Sequence, residues 1–341
     1  MTFTIIIPAY NVEKYIVQCL ESVFGQDYPI DEYEVIVIND CSTDSTINIL
    51  EQYKRHLIEE HPNANLLILK NETNIRQGGA RNRGLKVATG KYVMYVDADD
   101  CWLANNVLSV YDDYLSKYDV DFVDAREYKN IRQDYYTNTL HTSQYKYYSP
   151  VSSTDRLLVS KNLCSVWLSC YKRSYLLDKS LWFAENVCFE DTDWRIRCVS
   201  QAESIGIIDI NFYGYRSNPS ATTKVHNKKL LYDSFWALER LYDWVNNTDL
   251  KKENSENILY RIKRNIIDNI KSGRKYRLTD SCDVFCNICK MSIKNIRFES
   301  LNDRLLFCIM KNLPIVLMLP LRIKYKIGQI VLLIKNRYVK N

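Results

Sequence analysis

Glycine and proline are scarce in this chain of 341 residues, at nine and seven. That scarcity excludes low-complexity and collagen-like segments. It also removes the glycine-built phosphate cradles. No G-x-x-x-x-G-K-[ST] occurs, which excludes a P-loop, and no G-x-G-x-x-G follows the first apolar run. There is no G-x-S-x-G elbow, and the four histidines, His56, His61, His141 and His226, form no metal-ligating pair. Acidic residues vanish after Asp303, while Arg304, Lys311, Arg322, Lys324, Lys326, Lys335, Arg337 and Lys340 remain. The apolar runs of this tail, "LPIVLMLPL" and "IGQIVLLI", fall short of the roughly 18 residues that a membrane span needs.

What is present fits a globular protein with a sizeable core. The chain is 46% hydrophobic and 26% charged and carries 26 tyrosines. On length it holds about two domains. A net charge of only +5, with no aromatic and basic platform, argues against a nucleic-acid partner. The basic, apolar tail has two readings: peripheral contact with an anionic membrane, or a helix folded back onto its own domain. Eleven cysteines lie without regular spacing. Cys282, Cys286 and Cys289 have the spacing C-x3-C-x2-C, yet no matching fourth ligand or context, so buried free thiols are the reading kept over an iron–sulfur site. The opening "MTFTIIIPAYN" reads as a strand with no basic leader, which gives the expectation of a cytoplasmic protein with reduced thiols, at the inner face of the cell membrane if the tail binds there.

The first hundred residues alternate between apolar β-rich runs at 3–7, 34–38, 65–69 and 91–96 and helix-like stretches near 12–24, 43–57 and 77–88. Short apolar strands separated by helices predict an α/β fold with a mostly parallel, Rossmann-like sheet covered on both faces. Beyond this, a helix is expected over 103–117, strands at 120–124, 165–171, 204–209 and 211–216, and a helix near 191–202. Residues 126–150 show no strong period. From about 227 the reading is helical, with Leu230, Leu231, Phe235, Leu238, Leu241 and Val245 at helix spacing, then Ile258, Ile262, Ile266 and Ile270 four apart. The expected organisation is a domain over 1–225, with halves 1–103 and 104–225, followed by a helical region over 226–341 whose tail, 304–341, is the candidate membrane contact.

In a doubly wound sheet, ligands bind outside the carboxyl ends of the strands. Here the first strand ends in "PAYN" (8–11), the second in "NDCSTDST" (39–46) and the fourth in "DADD" (97–100). The third is followed by "NETNIRQGGARNRG", which supplies Arg76, Arg81 and Arg83. Three carboxylates within four positions, Asp97, Asp99 and Asp100, repel one another unless a positive partner is present. One rim that gathers acids and arginines suits a diphosphate with a divalent cation, and oxygen-only ligands select Mg²⁺ or Mn²⁺. Each piece also has a plain structural reading. Pro8 can end a strand, Asn11 can cap a helix, and Asp40 and Ser42 to Asp44 can serve the next helix N-terminus.

Together "IIIPAYN", "VIVINDCSTDST", "NIRQGGARNRGL", "YVMYVDADD" and the later "CFEDTDW" resemble the family 2 glycosyltransferases of the GT-A fold. The resemblance runs over 3–103 and returns at 165–223. It departs in reading Asn-Asp where Asp-Asp is commoner, and in lacking the Gln-x-x-Arg-Trp box of processive synthases, which favours a single-addition enzyme over a polymerase.

The resemblance implies a metal-dependent, inverting transferase, hexosyl or N-acetylhexosaminyl, moving a sugar from a nucleotide-sugar donor such as a UDP-sugar to a glycan or lipid-linked acceptor in surface polysaccharide synthesis. Pro8, Ala9, Tyr10 and Asn11 would line the nucleoside pocket, with Asp40 accepting from the base. Arg81 would face the base or the diphosphate. Asp97 would hold the ribose or a metal-bound water, and Asp99 would ligate the metal, Mn²⁺ or Mg²⁺. Asp191 would be the general base, with Glu190 orienting the acceptor or the loop. Asp191 and Asp193 equally suit a helix N-terminus. Trp167 is either a stacking platform for the acceptor sugar or a core aromatic. The loop over 213–223 would close over donor and acceptor, with His226 near the metal or merely structural. The readings weighed against transfer are a silent nucleotide-sugar-binding protein and a sugar nucleotidyltransferase. The second needs a glycine-rich, arginine-bearing loop where this chain has "PAYN".

Overall fold

The computed structural model describes residues 1–131, 145–155, 165–217, 228–259 and 261–262. The loop at 218–223, His226, the cysteines at 282, 286 and 289, Ile266, Ile270 and the tail at 304–341 lie outside the described residues. The chain divides into two units, Met1–Lys224 and Val225–Asn341.

The first unit is built on a nine-stranded sheet in the order β3-β2-β1-β4-β8-β6-β9-β5, with β7 also paired to β9. β1 (Phe3–Ala9) and β2 (Tyr33–Asn39) are buried along their whole length, as continuous apolar runs covered on both faces must be. They pair in parallel with each other and with β3 (Asn65–Lys70) and β4 (Tyr92–Tyr95). Beyond β4 the sheet is mixed. β8 (Ser169–Lys172) runs antiparallel to both β4 and β6 (Phe122–Ile131), and β9 (Ile205–Arg216) lies parallel to β6. β5 (Cys101–Trp102) and β7 (Lys146–Val151) pair antiparallel with β9. The expected parallel arrangement therefore describes the first four strands.

Helix α1 (Ile16–Phe24) presents Ile16, Cys19, Leu20 and Val23 to the core, at the i, i+3, i+4, i+7 spacing of one face. It begins after a turn in which Tyr15 N–H bonds Val12 C=O, later than the expected start at 12. α2 (Thr46–Glu60) follows β2, and α3 (Arg76–Val87) follows β3. α3 is poor in apolar residues yet buried, because Gly84 lets it touch the sheet: a Cβ there would stand 2.6 Å from Ile6 Cγ2. α4 (Val107–Lys117) starts later than the expected 103, since Cys101 and Trp102 are taken by pairing with β9 and Gln26 Oε1 accepts from Val107 N–H. The strand expected at 165–171 is instead a 3₁₀ turn, Val166–Leu168, leading into β8. A short helix α5 (Arg173–Asp178), which periodicity does not reveal, precedes α6 (Glu190–Gln201). The two strands expected at 204–209 and 211–216 are one, β9.

In the second unit, α7 (Lys228–Asn247) buries Leu230, Leu238, Leu241 and Val245, four of the six positions that carry the sequence periodicity. Ile258 and Ile262 are buried as well. Among the described residues, no helix is long and apolar enough to cross a membrane.

Candidate active site

The strand ends meet one cavity of about 640 Å³, within the size range of small-molecule sites. Its lining includes Pro8, Ala9, Tyr10 and Asn11 after β1, Asp40 after β2, Arg81 on α3 and Asp97 and Asp99 after β4. The facing wall includes Trp167, Glu190 and Asp191. These eleven residues border one space, although 183 positions separate the first from the last, while Arg83, Asp100 and Asp193 do not line it.

Each loop is held by its own hydrogen bonds. Asn11, in the left-handed region at φ 52°, does not cap α1. Its Oδ1 accepts from Thr43 N–H at 2.8 Å and its own N–H donates to Ser42 Oγ at 3.1 Å, which ties the first strand end to the second. Asp40 is buried and serves the third loop: its Oδ1 accepts from Asn71 Nδ2 at 2.6 Å and from Ile75 N–H at 2.9 Å. Asp44 takes the helix-start role, accepting from Thr46 N–H at 3.0 Å.

Arg81 borders the cavity and is also bonded within the protein. Its guanidinium is buried, donating from Nη2 to Asp97 Oδ1 at 2.8 Å and from Nη1 to Glu190 Oε1 at 2.6 Å. It bridges two carboxylates where it lines the cavity, and its Nε is buried and without a partner. The loop that delivers Glu190 is fastened to the same helix. Asn82 Nδ2 donates to Phe183 C=O, its Oδ1 accepts from Phe183 N–H, and Asn186 N–H donates to Ile75 C=O. Gly78 permits the approach, since a Cβ there would lie 2.1 Å from Ala184 C=O.

The three clustered acids are distinct in state. Asp97 is balanced by Arg81. Asp100 is buried, accepting from Tyr213 Oη at 2.9 Å and from Arg216 N–H at 2.7 Å. Burial, with Asp97 and Asp99 beside it, pushes its carboxyl up to about 9, against the hydrogen bonds from Arg216 N–H and Tyr213. Asp99 is half-buried and borders the cavity. Mutual repulsion is thus relieved for two of the three by the protein itself, where sequence reasoning assigned all of the balance to a metal.

Glu190 and Asp191 open α6 after Phe189, whose φ of 62° is left-handed. Burial raises the carboxyl of Glu190 although Arg81 opposes the shift. Asp191 stands beside it on the cavity wall, and burial together with Glu190 pushes its carboxyl up to about 7. Asp193 is fully buried and pairs with Arg197 at 3.1 Å. Asp191 thus stands in the first turn of α6 and borders the cavity at once, while Asp193 in the same turn is taken by Arg197.

A family model described as glycosyl transferase family 2 matches residues 4–175. The chain belongs to that family. A curated relative, the poly(ribitol-phosphate) beta-N-acetylglucosaminyltransferase TarS of Staphylococcus aureus (strain Mu50 / ATCC 700699), is 46% identical over 101 residues, covering 29% of this chain and 16% of its own length. The uncharacterized glycosyltransferase EpsJ of Bacillus subtilis (strain 168) is 27% identical over 239 residues, 66% of this chain and 64% of its own length. The chain thus matches about one sixth of the length of the first relative and just under two thirds of the second. Among solved structures, Staphylococcus aureus TarS 1–349 in complex with UDP-GlcNAc superposes with a TM-score of 0.67 at 24% identity, over 85% of this chain and 81% of that one. TarS 1–349 in complex with UDP gives 0.65 at 25% identity, over 90% and 81%. The fold is that GT-A arrangement, an open α/β sheet flanked by helices.

For a member of glycosyl transferase family 2, the donor set here is oxygen only. Among the described residues, no group of three or more His, Cys, Asp or Glu is arranged to hold a metal ion. Asp97 and Asp99 at the cavity edge fit a cation that uses one or two carboxylates and completes its shell with substrate phosphates, as Mg²⁺ commonly does.

Trp167 is 9% exposed, stacked on Tyr213 with centroids 4.1 Å apart and flanked by Tyr215 and Tyr128. It lines the cavity and packs in an aromatic cluster at once. The sequence reading missed Tyr128, Asn74 and Gln77, which also border the cavity, as does Tyr215 from the expected closing segment at 213–223. Arg76 was read only as part of a basic loop. It is exposed there, in the left-handed region at φ 67°. That conformation aims a strand-to-helix turn without glycine, and no residue-type pattern announces it.

Proposed function

We propose that the chain is a metal-dependent, inverting glycosyltransferase. In this reading it transfers a hexosyl or N-acetylhexosaminyl group from a UDP-sugar to a hydroxyl of a glycan or lipid-linked acceptor in surface polysaccharide synthesis. The observation that carries this is the placing of Asp191 and Asp99 on one cavity, with Asp191 poised near neutral pH. The resemblance to proteins whose names specify sugar transfer to poly(ribitol-phosphate), one of them solved with UDP-GlcNAc, supports the donor and the acceptor class. A mannosyltransferase of the same fold, solved with GDP-Man and Mn²⁺, supports the metal (TM-score 0.52, 18% identity).

Each wall of the cavity has its task. Pro8, Ala9, Tyr10, Asn11 and Asp40 hold the nucleoside. Arg76, exposed at the cavity, joins Arg81 in facing the diphosphate. A bound divalent cation supplies Lewis-acid stabilisation of the leaving diphosphate. Asp191 removes the proton from the acceptor hydroxyl as that oxygen attacks the anomeric carbon. Glu190, anchored to Arg81, holds Asp191 at its station, and Trp167 forms the acceptor side. The basic stretch at 304–341 would bring the enzyme to a lipid-linked acceptor at the inner face of the membrane.

The reading is tested by thermal shift with UDP-, GDP- and dTDP-sugars, with and without Mn²⁺. Stabilisation that needs both a UDP-sugar and metal is the expected result; at 100 times Kd it amounts to about 2.7 kcal/mol. Asp99→Ala is expected to erase the part of the shift that requires Mn²⁺. A shift indifferent to metal in both proteins would remove Asp99 from this role.

The pH profile follows from Asp191. A general base works only when ionised, and its carboxyl titrates near 7 rather than in the usual range. kcat/KM, which reports the free enzyme, should therefore rise about tenfold per pH unit on the acid side and level off above roughly pH 7. A flat profile between pH 5 and 8 would contradict the assignment.

A further inference from the structure

The proposed reading gives no task to the end of β9, yet three donors from it converge on the acidic turn. Tyr213 is wholly buried. Its hydroxyl accepts from Asp97 N–H at 3.1 Å and donates to Asp100 Oδ2 at 2.9 Å, so one oxygen spans both ends of the turn. Arg216 N–H donates to Asp100 Oδ1 at 2.7 Å, and Arg216 Nε donates to Asp99 C=O at 2.8 Å. Arg216 is in turn held from α1, with Nη2 on Gln18 Oε1 and its guanidinium 5.3 Å from the Tyr15 ring. The other side of Tyr213 meets the far wall of the cavity, its ring stacked at 21° on Trp167.

We propose that Tyr213 is a positioning residue that fixes the backbone of the Asp97–Asp100 turn, and with it the aim of Asp97 and Asp99, from the acceptor side of the cavity. The chemistry favours this over simple core filling. A phenylalanine would fill the same space and stack on Trp167 equally well, so the hydroxyl is present for its two bonds. Asp100 Oδ2 is buried, so loss of the hydroxyl leaves that oxygen without the bond it accepts here. Groups that orient metal ligands from behind typically alter metal affinity or activity 10–100-fold when removed. Only the link from the turn to donor binding rests on the proposed function; the bond to Asp97 N–H does not.

The test uses the whole 341-residue chain and its Tyr213→Phe variant in two assays. Residue-level amide hydrogen exchange reads the turn without any ligand. Exchange at Asp97 is expected to quicken at least tenfold in the variant, with the amides of β1 unchanged. Titration with UDP in the presence of Mn²⁺ is expected to show about tenfold weaker binding in the variant, and the same weak binding for both proteins when metal is withheld. A folded Tyr213→Phe with parental exchange at Asp97, or with parental Mn²⁺-dependent UDP affinity, overturns the proposal. If the variant does not fold, exchange in the unaltered protein decides: an Asp97 amide that exchanges as fast as an unstructured peptide overturns it, and a strongly protected one supports it. A parent protein that binds no UDP with Mn²⁺ would instead refute the donor reading, and the exchange result would still judge Tyr213.

Discussion

Replacing Asp191 by asparagine is expected to lower kcat about 10³-fold, within the range that general bases contribute, while leaving UDP affinity within a factor of two or so of the parent. Asparagine is isosteric, and Asp191 Oδ1 makes only a 3.4 Å contact with Thr192 Oγ1, which an amide oxygen can keep. The lost charge at the start of α6 costs roughly 0.3–1 kcal/mol of helix-dipole interaction, too little to unfold a domain of this size. Glu190 and Asp193 remain in the same turn. A fall in turnover with donor binding intact therefore isolates proton removal. The two quantities are read by a transfer assay at saturating acceptor and by calorimetric titration with UDP and Mn²⁺. Turnover within tenfold of the parent would remove Asp191 as the base.

The second large effect belongs to Arg81. Arg81→Met keeps much of the side-chain volume but leaves Asp97 and Glu190 facing each other in a space where the cation was 2% exposed. Removing one member of a buried ionic set typically costs about 3–5 kcal/mol, which for a unit of this size lowers Tm by roughly 6–20 °C. The sign of the pH dependence distinguishes this cause from lost packing. Carboxyls deprived of their cation titrate higher, and once protonated they need no partner, so the parent-to-variant gap should narrow as pH falls from 8 to 5. Lost packing would give a constant gap. Arg81→Lys is expected to lie between the two, because an ammonium cannot fork toward two carboxylates as a guanidinium does. Differential scanning calorimetry across that pH range is the measurement, and an Arg81→Met protein as stable as the parent would refute the bridge.

Much of this architecture was legible in the sequence, because the relevant signals are local. The runs "FTIIIPA" and "YEVIVIN" have the unbroken apolarity that burial on both faces demands. The rule that ligands collect at the carboxyl ends of strands then points to the rim where the cavity lies. What was not legible depends on partners distant in the chain. Arg81 reads as an anion-binding arginine in "GGARNRG", and its bond to Glu190, 109 positions later, has no trace in the local pattern. The partners that bury Asp100, Tyr213 and Arg216, lie more than a hundred residues later, and Asp99 stays at the cavity. Trp167 could be platform or core from its type alone, and in the structure it borders the cavity while packed against Tyr213. β5 is two residues long and has no period to detect.

The bridge through Arg81 also bears on how the molecule is made. Its two carboxylate partners stand 16 and 109 positions further along the chain. While the polypeptide is being synthesised, the first four strands can emerge and pair before residue 190 exists, and during that interval the guanidinium has half of its eventual counter-charge. Loop closure over such a separation is slow compared with local pairing. The cavity is thus completed only after its parallel strands, and a chain interrupted in between would display those strands without the wall that carries Glu190.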